Sequence, residues 1–493
     1  MKKILNLVLK RVNALYLLVM VLTLSAFTHL WNPTGFPDLF FDEGVYMRRA
    51  MHVLSGLGPQ ESWFHDHPFF GQIFLAGTLA ITGYPQSLHP TVDVNSMSML
   101  YLEPRIVMGL LAVIDTFLIF KIAENRYDRN IAIVASILFA VMPITWFLRR
   151  ILLDSILLPF LLSSILLALY SKDAKNKNVL VLCSGILLGL AIFTKIPAFT
   201  IIPLVAWLIY THNDKSLKTL ALWFLPVFLI PLLWPIQSIF AGQFDLWIKD
   251  VLWQTHRSGV GLSMIADTFV RIDPVLFILS LAGIAFAAIK KNFFILIWVL
   301  PFVAFLALIE YVQYFYSIML LPVFCIASAV FIMSLCKKIS REKLQKILPI
   351  VIVTGIGIFG LTSTIMIITN DVSKSEFQTM AFVLRHVQNN TDTTILSSPT
   401  YSWVFDYVFH QDNVRIDYSD ILFGPVKTKH VLLVADPHFL IDIGRGKQLS
   451  DLYNTTSTIA TFDENMSKYD ISKYPYTSMA QNYEGNHIEV KIK

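Results

Sequence analysis

Long apolar stretches punctuated by short polar ones dominate the first three quarters of the chain. Runs of spanning length recur at about 12–30, 104–123, 131–148, 155–170, 179–194, 196–211, 219–240, 273–289, 293–309, 316–336 and 347–369. Each predicts a helix able to cross a bilayer. The run from Phe69 to Tyr84 is shorter and carries Gly71, Gln72, Gly77 and Gly83. It predicts an interfacial helix rather than a crossing. After about residue 370 the pattern changes to polar sequence with short β-branched runs. Strands are expected at 393–399 and 430–437, and helices at 375–388 and 400–410, which together read as a small α/β domain.

The lysines and arginines test this layout. With a cytoplasmic N-terminus, the inner loops collect Arg126 and Arg129, then Lys172, Lys175 and Lys177, then Lys215 and Lys218, then Lys290 and Lys291, then Lys337, Lys338, Arg341, Lys343 and Lys346. Every lysine-rich loop then falls on one side, as the positive-inside rule requires. The apolar stretch 179–210 lies between two such loops, so it crosses an even number of times, turning near Thr194-Lys195-Ile196-Pro197. A first outer loop (31–103), a second (241–272) and everything after 370 are placed outside. The sequons at Asn389, Asn454 and Asn465 all fall in that last outer segment. The N-terminal run with its basic start, from Met1 to Leu30, is read as a retained span rather than a cleaved leader.

Composition agrees. The 493 residues are 55% hydrophobic and only 15% charged, against about 25% charged in soluble domains. The formal charge of +5 is explained by the inner loops and leaves no nucleic-acid patch. Cys183, Cys325 and Cys336 sit in apolar segments with no metal-ligand spacing. There is no phosphate-binding glycine loop, no dinucleotide fingerprint and no nucleophile elbow.

Chemistry concentrates on the outer side. Asp42-Glu43, in F-D-E-G-V-Y, are adjacent carboxylates just outside the first span, where desolvation is costly. A second polar knot, His65-Asp66-His67, precedes Pro68 and reads as a metal-binding pair, a structural knot or a substrate contact. Arg105, Arg149, Arg150, Asp154 and Lys195 come from separate parts of the chain, yet all are expected at the membrane depth of Asp42. Each cation alone reads as a snorkelling anchor, whereas the set suits a phosphate at headgroup level. Trp247, Trp253, His256 and Arg257 in the second outer loop read as an interfacial belt or an acceptor cleft.

The order of these motifs resembles the GT-C glycosyltransferases, in the protein O-mannosyltransferase and aminoarabinose-transferase branch. F-D-E-G-V-Y is followed by H-D-H-P-F-F-G, P-R-I-V-M-G at 104–109, R-R-I-L-L-D at 149–154, G-L-A-I-F-T-K at 189–195 and Y-S-I-M-L-L-P at 316–322. The resemblance implies a polytopic α-helical membrane protein of about 11 transmembrane helices over 1–369, with an extracytoplasmic α/β domain over 370–493. It implies a plasma-membrane enzyme moving a mannose-like sugar, with inversion, from a polyprenyl-phosphate donor to a protein, lipid or glycan acceptor. Asp42 is then the base and Glu43 assists positioning or donor contact. Arg105, Lys195, Arg149 and Arg150 hold the donor phosphate, and His65, Asp66, His67, Asp154 and Tyr316 contact substrate. No metal ligand is assigned, and a divalent metal stays open. Two other readings compete: an oligosaccharyltransferase, of whose W-W-D motif W-V-F-D-Y at 403–407 is a faint echo, and a lipid-sugar flippase.

Overall fold

The computed structural model describes residues 2–61, 64–388, 392–419, 426, 428–436, 447–463 and 487–493. Of the three sequons, Asn389 and Asn465 lie outside the described residues, and Asn454 is exposed. Every apolar run of the sequence falls on helix. Among the described residues, five helices are long and apolar enough to cross a membrane: Val94–Arg126, Leu153–Tyr170, Lys177–Thr194, Leu217–Phe240 and Glu342–Ile368. A sixth candidate is the bent pair Arg129–Val141 and Pro143–Arg149, whose axes differ by 69°. The remaining apolar segments form shorter helices of 10–17 residues.

We label the elements that position the site. Helix α1 is Lys2–Leu30, α2 is Phe41–Leu54 and α3 is Phe70–Ala80. Helix α4 is Val94–Arg126, α5 is Arg129–Val141, α6 is Leu153–Tyr170 and α7 is Lys177–Thr194. The 11 residues of α3 reach only about 17 Å at the α-helical rise, too short for a bilayer core of about 30 Å. Local chemistry sets several boundaries. The side chains of Asp93 and Asp128 accept from the amides of Ser96 and Ile131, capping α4 and α5. Helix α7 stops at Thr194 because Pro197 disfavours helix at the residue before it, and a 3-10 run, Ile196–Ile201, follows.

The C-terminal part builds a five-stranded sheet in the order β2-β1-β3-β5-β4. Its strands are β1 Thr393–Leu396, β2 Val414–Arg415, β3 His430–Ala435, β4 Ser457–Asp463 and β5 His487–Ile492. Strand β1 runs parallel to β2 and β3, while β5 runs antiparallel to β3 and β4. The sheet is tied to the helical part through the segment after β1. Tyr101 Oη on α4 donates to Thr400 O at 2.6 Å, and Trp403 Nε1 donates to Tyr101 Oη at 2.9 Å. Ser373 Oγ also donates to Pro37 O at 3.0 Å.

The first loop is anchored by buried charge. Glu43, on the first turn of α2, is fully buried. Its Oε1 accepts from Arg105 Nε and from the Ile151 amide, each at 3.0 Å. Its Oε2 accepts from Arg105 Nη2 at 2.7 Å, from the Phe40 amide at 3.1 Å and from Arg150 Nη1 at 3.4 Å. Arg150 also pairs with the Asp38 carboxylate through Nη2. Two carboxylates and two guanidinium groups thus meet where α2, α4 and the segment before α6 converge. Taking one member away leaves a buried charge uncompensated, at a cost of about 3–5 kcal/mol. Arg105→Met is therefore expected to lower the detergent-solubilised melting temperature strongly, and parent-like melting would contradict this role.

Candidate active site

Asp42 and Glu43 are neighbours in sequence but about 100° apart around the helix. Glu43 points into the anchor, and Asp42 is half-buried on another face. Burial pushes the Asp42 carboxyl up from 3.8 to about 6, with Lys195 opposing that rise, Asp66 adding to it, Arg257 opposing and Asp154 adding. Those four charges come from four different segments, so they define the surroundings of Asp42.

Lys195 stands at the end of α7, where the helix breaks. Its Nζ donates to Asp154 Oδ2 at 2.6 Å, with the two residues 1% and 2% exposed. The rings of Phe315 and Tyr316 lie 4.7 and 4.5 Å from the same Nζ, an aromatic wall that suits a desolvated cation. Asp154 sits in the first turn of α6, where a carboxylate meets the positive end of the helix.

The His-Asp-His knot divides. Asp66 Oδ1 pairs with Arg49 Nη2 of α2 at 2.6 Å, and Asp66 Oδ2 lies 3.9 Å from His67 Nε2. Burial favours the neutral Asp66 acid, but Arg49 and His67 outweigh it and hold the carboxyl below its ordinary value. Burial pushes the His67 imidazole down to about 3 against the pull of Asp66, so it is neutral at physiological pH. Its ring centroid lies 6.5 Å from that of Tyr46. His65 goes elsewhere: fully buried, it donates its amide to Asp250 Oδ2 at 2.7 Å, latching the first loop to the helix Phe244–Thr255.

The expected phosphate-binding cations also separate into two sets. All five N–H donors of Arg105 are taken by protein oxygens: Glu43 twice, Pro33 O, Pro37 O and Asp38 O. Arg105 therefore belongs to the anchor, with no donor left to face a phosphate. Arg149 is 1% exposed and donates to Thr28 O, Trp31 O and Asn32 O, while Arg150 is wholly enclosed by Asp38 and Glu43. Glu43, with both oxygens occupied by the protein, is likewise displaced from donor contact. The sequence places these groups at one depth, but depth alone does not say which way a side chain faces.

Arg257 is the addition. Its guanidinium carbon lies 3.6 Å from the centroid of Tyr311 and 4.8 Å from that of Trp253, and it acts on Asp42, His67 and Tyr316. The aromatic residues around it gave the loop the look of an interfacial belt. Trp247 and His256 do not join this group. Trp247 packs on Trp234 and Phe244, and His256 Nδ1 bonds to Leu252 O. Among the described residues, no three His, Cys, Asp or Glu side chains converge in a way that could hold a metal ion.

One half-buried carboxylate thus faces a buried lysine, an arginine and a neutral imidazole. Residues 19–248 match the family model of dolichyl-phosphate-mannose-protein mannosyltransferases. No curated protein sequence matches the chain. ArnT from Cupriavidus metallidurans, solved bound to undecaprenyl phosphate, aligns with a TM-score of 0.54 at 12% identity, covering 97% of each chain. The oligosaccharyltransferase of Archaeoglobus fulgidus, solved tethered to an acceptor peptide, aligns with a TM-score of 0.57 at 12% identity over 86% of this chain and 69% of that one. At such identity the structures establish the shared fold, and the family match marks a sequence similarity over residues 19–248. The chain thus shares its fold with these two membrane glycosyltransferases, and its residues 19–248 are similar to the dolichyl-phosphate-mannose-protein mannosyltransferase family.

Proposed function

We propose that the protein moves a mannose-like hexose, or a related sugar, from a polyprenyl or dolichyl phosphate to a hydroxyl or amine of a protein, lipid or glycan acceptor. The reaction takes place on the extracytoplasmic face of the plasma membrane. In this reading the N-terminus is cytoplasmic, the chain crosses about 11 times within 1–369, and 370–493 form an extracytoplasmic domain. The observation that carries the reading is the half-buried Asp42 carboxylate set against Lys195-Asp154 and Arg257.

The chemistry follows from those groups. Asp42 accepts the proton of the acceptor nucleophile as that nucleophile attacks the anomeric carbon. The bond from that carbon to the phosphate oxygen breaks through an oxocarbenium-like state, and polyprenyl phosphate departs carrying one more negative charge. A single displacement inverts the anomeric centre. Lys195, oriented by Asp154, and Arg257 face the charge that grows on the leaving phosphate. Arg257 takes the part the sequence had given to Arg105, Arg149 and Arg150. Asp66, His67, Asp154 and Tyr316 line the space for the sugar and acceptor.

A carboxylate poised near 6 is a usable base at neutral pH and is protonated below that value. Sugar transfer from polyprenyl-phosphate mannose, with kcat/KM followed against pH, is expected to fall about tenfold per unit below pH 6. Asp42→Asn is expected to remove at least about a hundredfold of the rate while leaving undecaprenyl phosphate binding intact. Unchanged transfer by that variant would sink the base assignment. Lys195→Met and Arg257→Met are each expected to weaken undecaprenyl phosphate binding by about tenfold or more.

The same shift has a signature in stability. The folded pKa of Asp42 lies above its ordinary 3.8, so the fold favours the protonated acid. Stability is lost as pH rises from about 4 to above 6, and an uncharged Asn escapes that loss. Asp42→Asn is expected to be more stable than the parent at pH 8, by on the order of 1–3 kcal/mol, and no more stable at pH 4. Equal melting temperatures of the two proteins at pH 8 would contradict the strain placed on Asp42.

A further inference from the structure

Helix α2 touches nearly everything of interest in this molecule. Asp42 and Glu43 occupy its first turn, and Gly44 lies one residue on. A Cβ at Gly44 would overlap the backbone of Pro399 and Thr400, so the C-terminal segment Pro399–Trp403 rests directly on the helix backbone. One turn later come two consecutive arginines. Arg48, 7% exposed, donates Nε to Glu61 Oε1 at 2.9 Å and Nη1 to Asp406 Oδ2 at 2.8 Å. Its guanidinium also lies 5.0 Å from the ring centroid of Tyr407, whose hydroxyl is 3.2 Å from His52 Nδ1 at the end of the helix. Arg49 holds Asp66. Glu61 and Asp66 are two points of the first loop, here called the strap, and the paired arginines clip both points to α2. Asp406 and Tyr407 lie on the π turn Val404–Val408 that follows Pro399–Trp403.

We propose that Arg48 is a positioning residue through which the C-terminal sheet unit fixes the orientation of α2, and with it Asp42. Gly44 supplies a close contact about which the helix beyond its pinned first turn could still tilt, and Arg48 supplies the second point that stops the tilt. Glu43 pins only the first turn. The strap carrying Asp66 depends on the same guanidinium, through Glu61.

The groups that face Asp42 make any slackening measurable. They are Lys195 and Asp154 at the ends of α7 and α6, Asp66 on the strap, Arg257 on the second loop and Tyr46 on α2 itself. Burial is the largest influence on the Asp42 carboxyl, so admitting water beside a loosened helix lowers its titration midpoint.

The test reads Asp42 directly. Full-length protein in detergent is labelled with a carbodiimide across pH 4 to 8, and the modified Asp42 peptide is quantified by mass spectrometry. Arg48→Met is expected to bring the midpoint down by about one unit, and Asp406→Asn by about half of that. Arg48→Lys is expected to restore most of it. The Asp406 carboxylate is 38% exposed, so Asp406→Asn keeps the test open if Arg48→Met does not fold. Unmoved midpoints in folded Arg48→Met and Asp406→Asn proteins would overturn the proposal. The proposal rests on Asp42 as the base only for its effect on rate. A shifted midpoint alongside full transfer by Asp42→Asn would preserve the positioning role and remove the base.

Discussion

The buried Glu43 carboxylate is the constraint on which the arrangement of the site depends. It gathers the Phe40 and Ile151 amides and the guanidinium groups of Arg105 and Arg150, and Asp38 balances the second arginine. Burying such a group without partners would cost several kcal/mol, so partial formation is unfavourable and the cluster forms as a unit. Once it forms, the start of α2 has one azimuth relative to α4 and to the segment leading into α6. Asp42, about 100° away, is thereby aimed at Lys195 and Asp154 with no direct bond of its own to them. One carboxylate of the pair is spent on structure so that its neighbour can remain strained.

That division organises the electrostatics. The charges of the anchor are enclosed and paired with one another and with backbone groups, whereas those around Asp42 come from four segments and include few mutual bonds. Lys195 has Asp154 and two aromatic rings, Arg257 has Tyr311 and Trp253, and His67 is held neutral by burial. The result is a nearly charge-balanced space, and in the proposed reaction a departing phosphate would gain more from such fixed cations than it would in water. The first and second loops meet at His65-Asp250, and the C-terminal part meets α2 at Arg48-Asp406, so each polypeptide segment bordering the site is tied to another.

Much of this fold is legible in the sequence. Apolar runs fall on helices because a bilayer leaves few alternatives, and strands β1 and β3 fall where β-branched runs predict them. The break at Lys195 is announced by Pro197. Asp42, Lys195 and Asp154 stand out in the sequence because charge in such company is costly. What stays hidden is azimuth and long-range pairing. Nothing in F-D-E-G says which carboxylate turns inward, and Arg105 offers the same letter whether it meets a phosphate or four backbone and side-chain partners. Arg257 reads in the sequence as part of an interfacial belt or an acceptor cleft, and no local pattern turns it toward Asp42. Arg48-Asp406 joins residues separated by 358 positions, a distance no local pattern spans.

The central claim is that Asp42 removes a proton so that a sugar can leave a lipid phosphate held by Lys195 and Arg257. It is tested most directly by the lipid that co-purifies with the protein, identified by mass spectrometry in parent and Asp42→Asn preparations. A protein stalled at the proton-transfer step should retain polyprenyl phosphate with its sugar still attached, while the parent carries the bare phosphate. Identical bare lipid in both preparations, or no phosphorylated polyprenol in either, would contradict the claim.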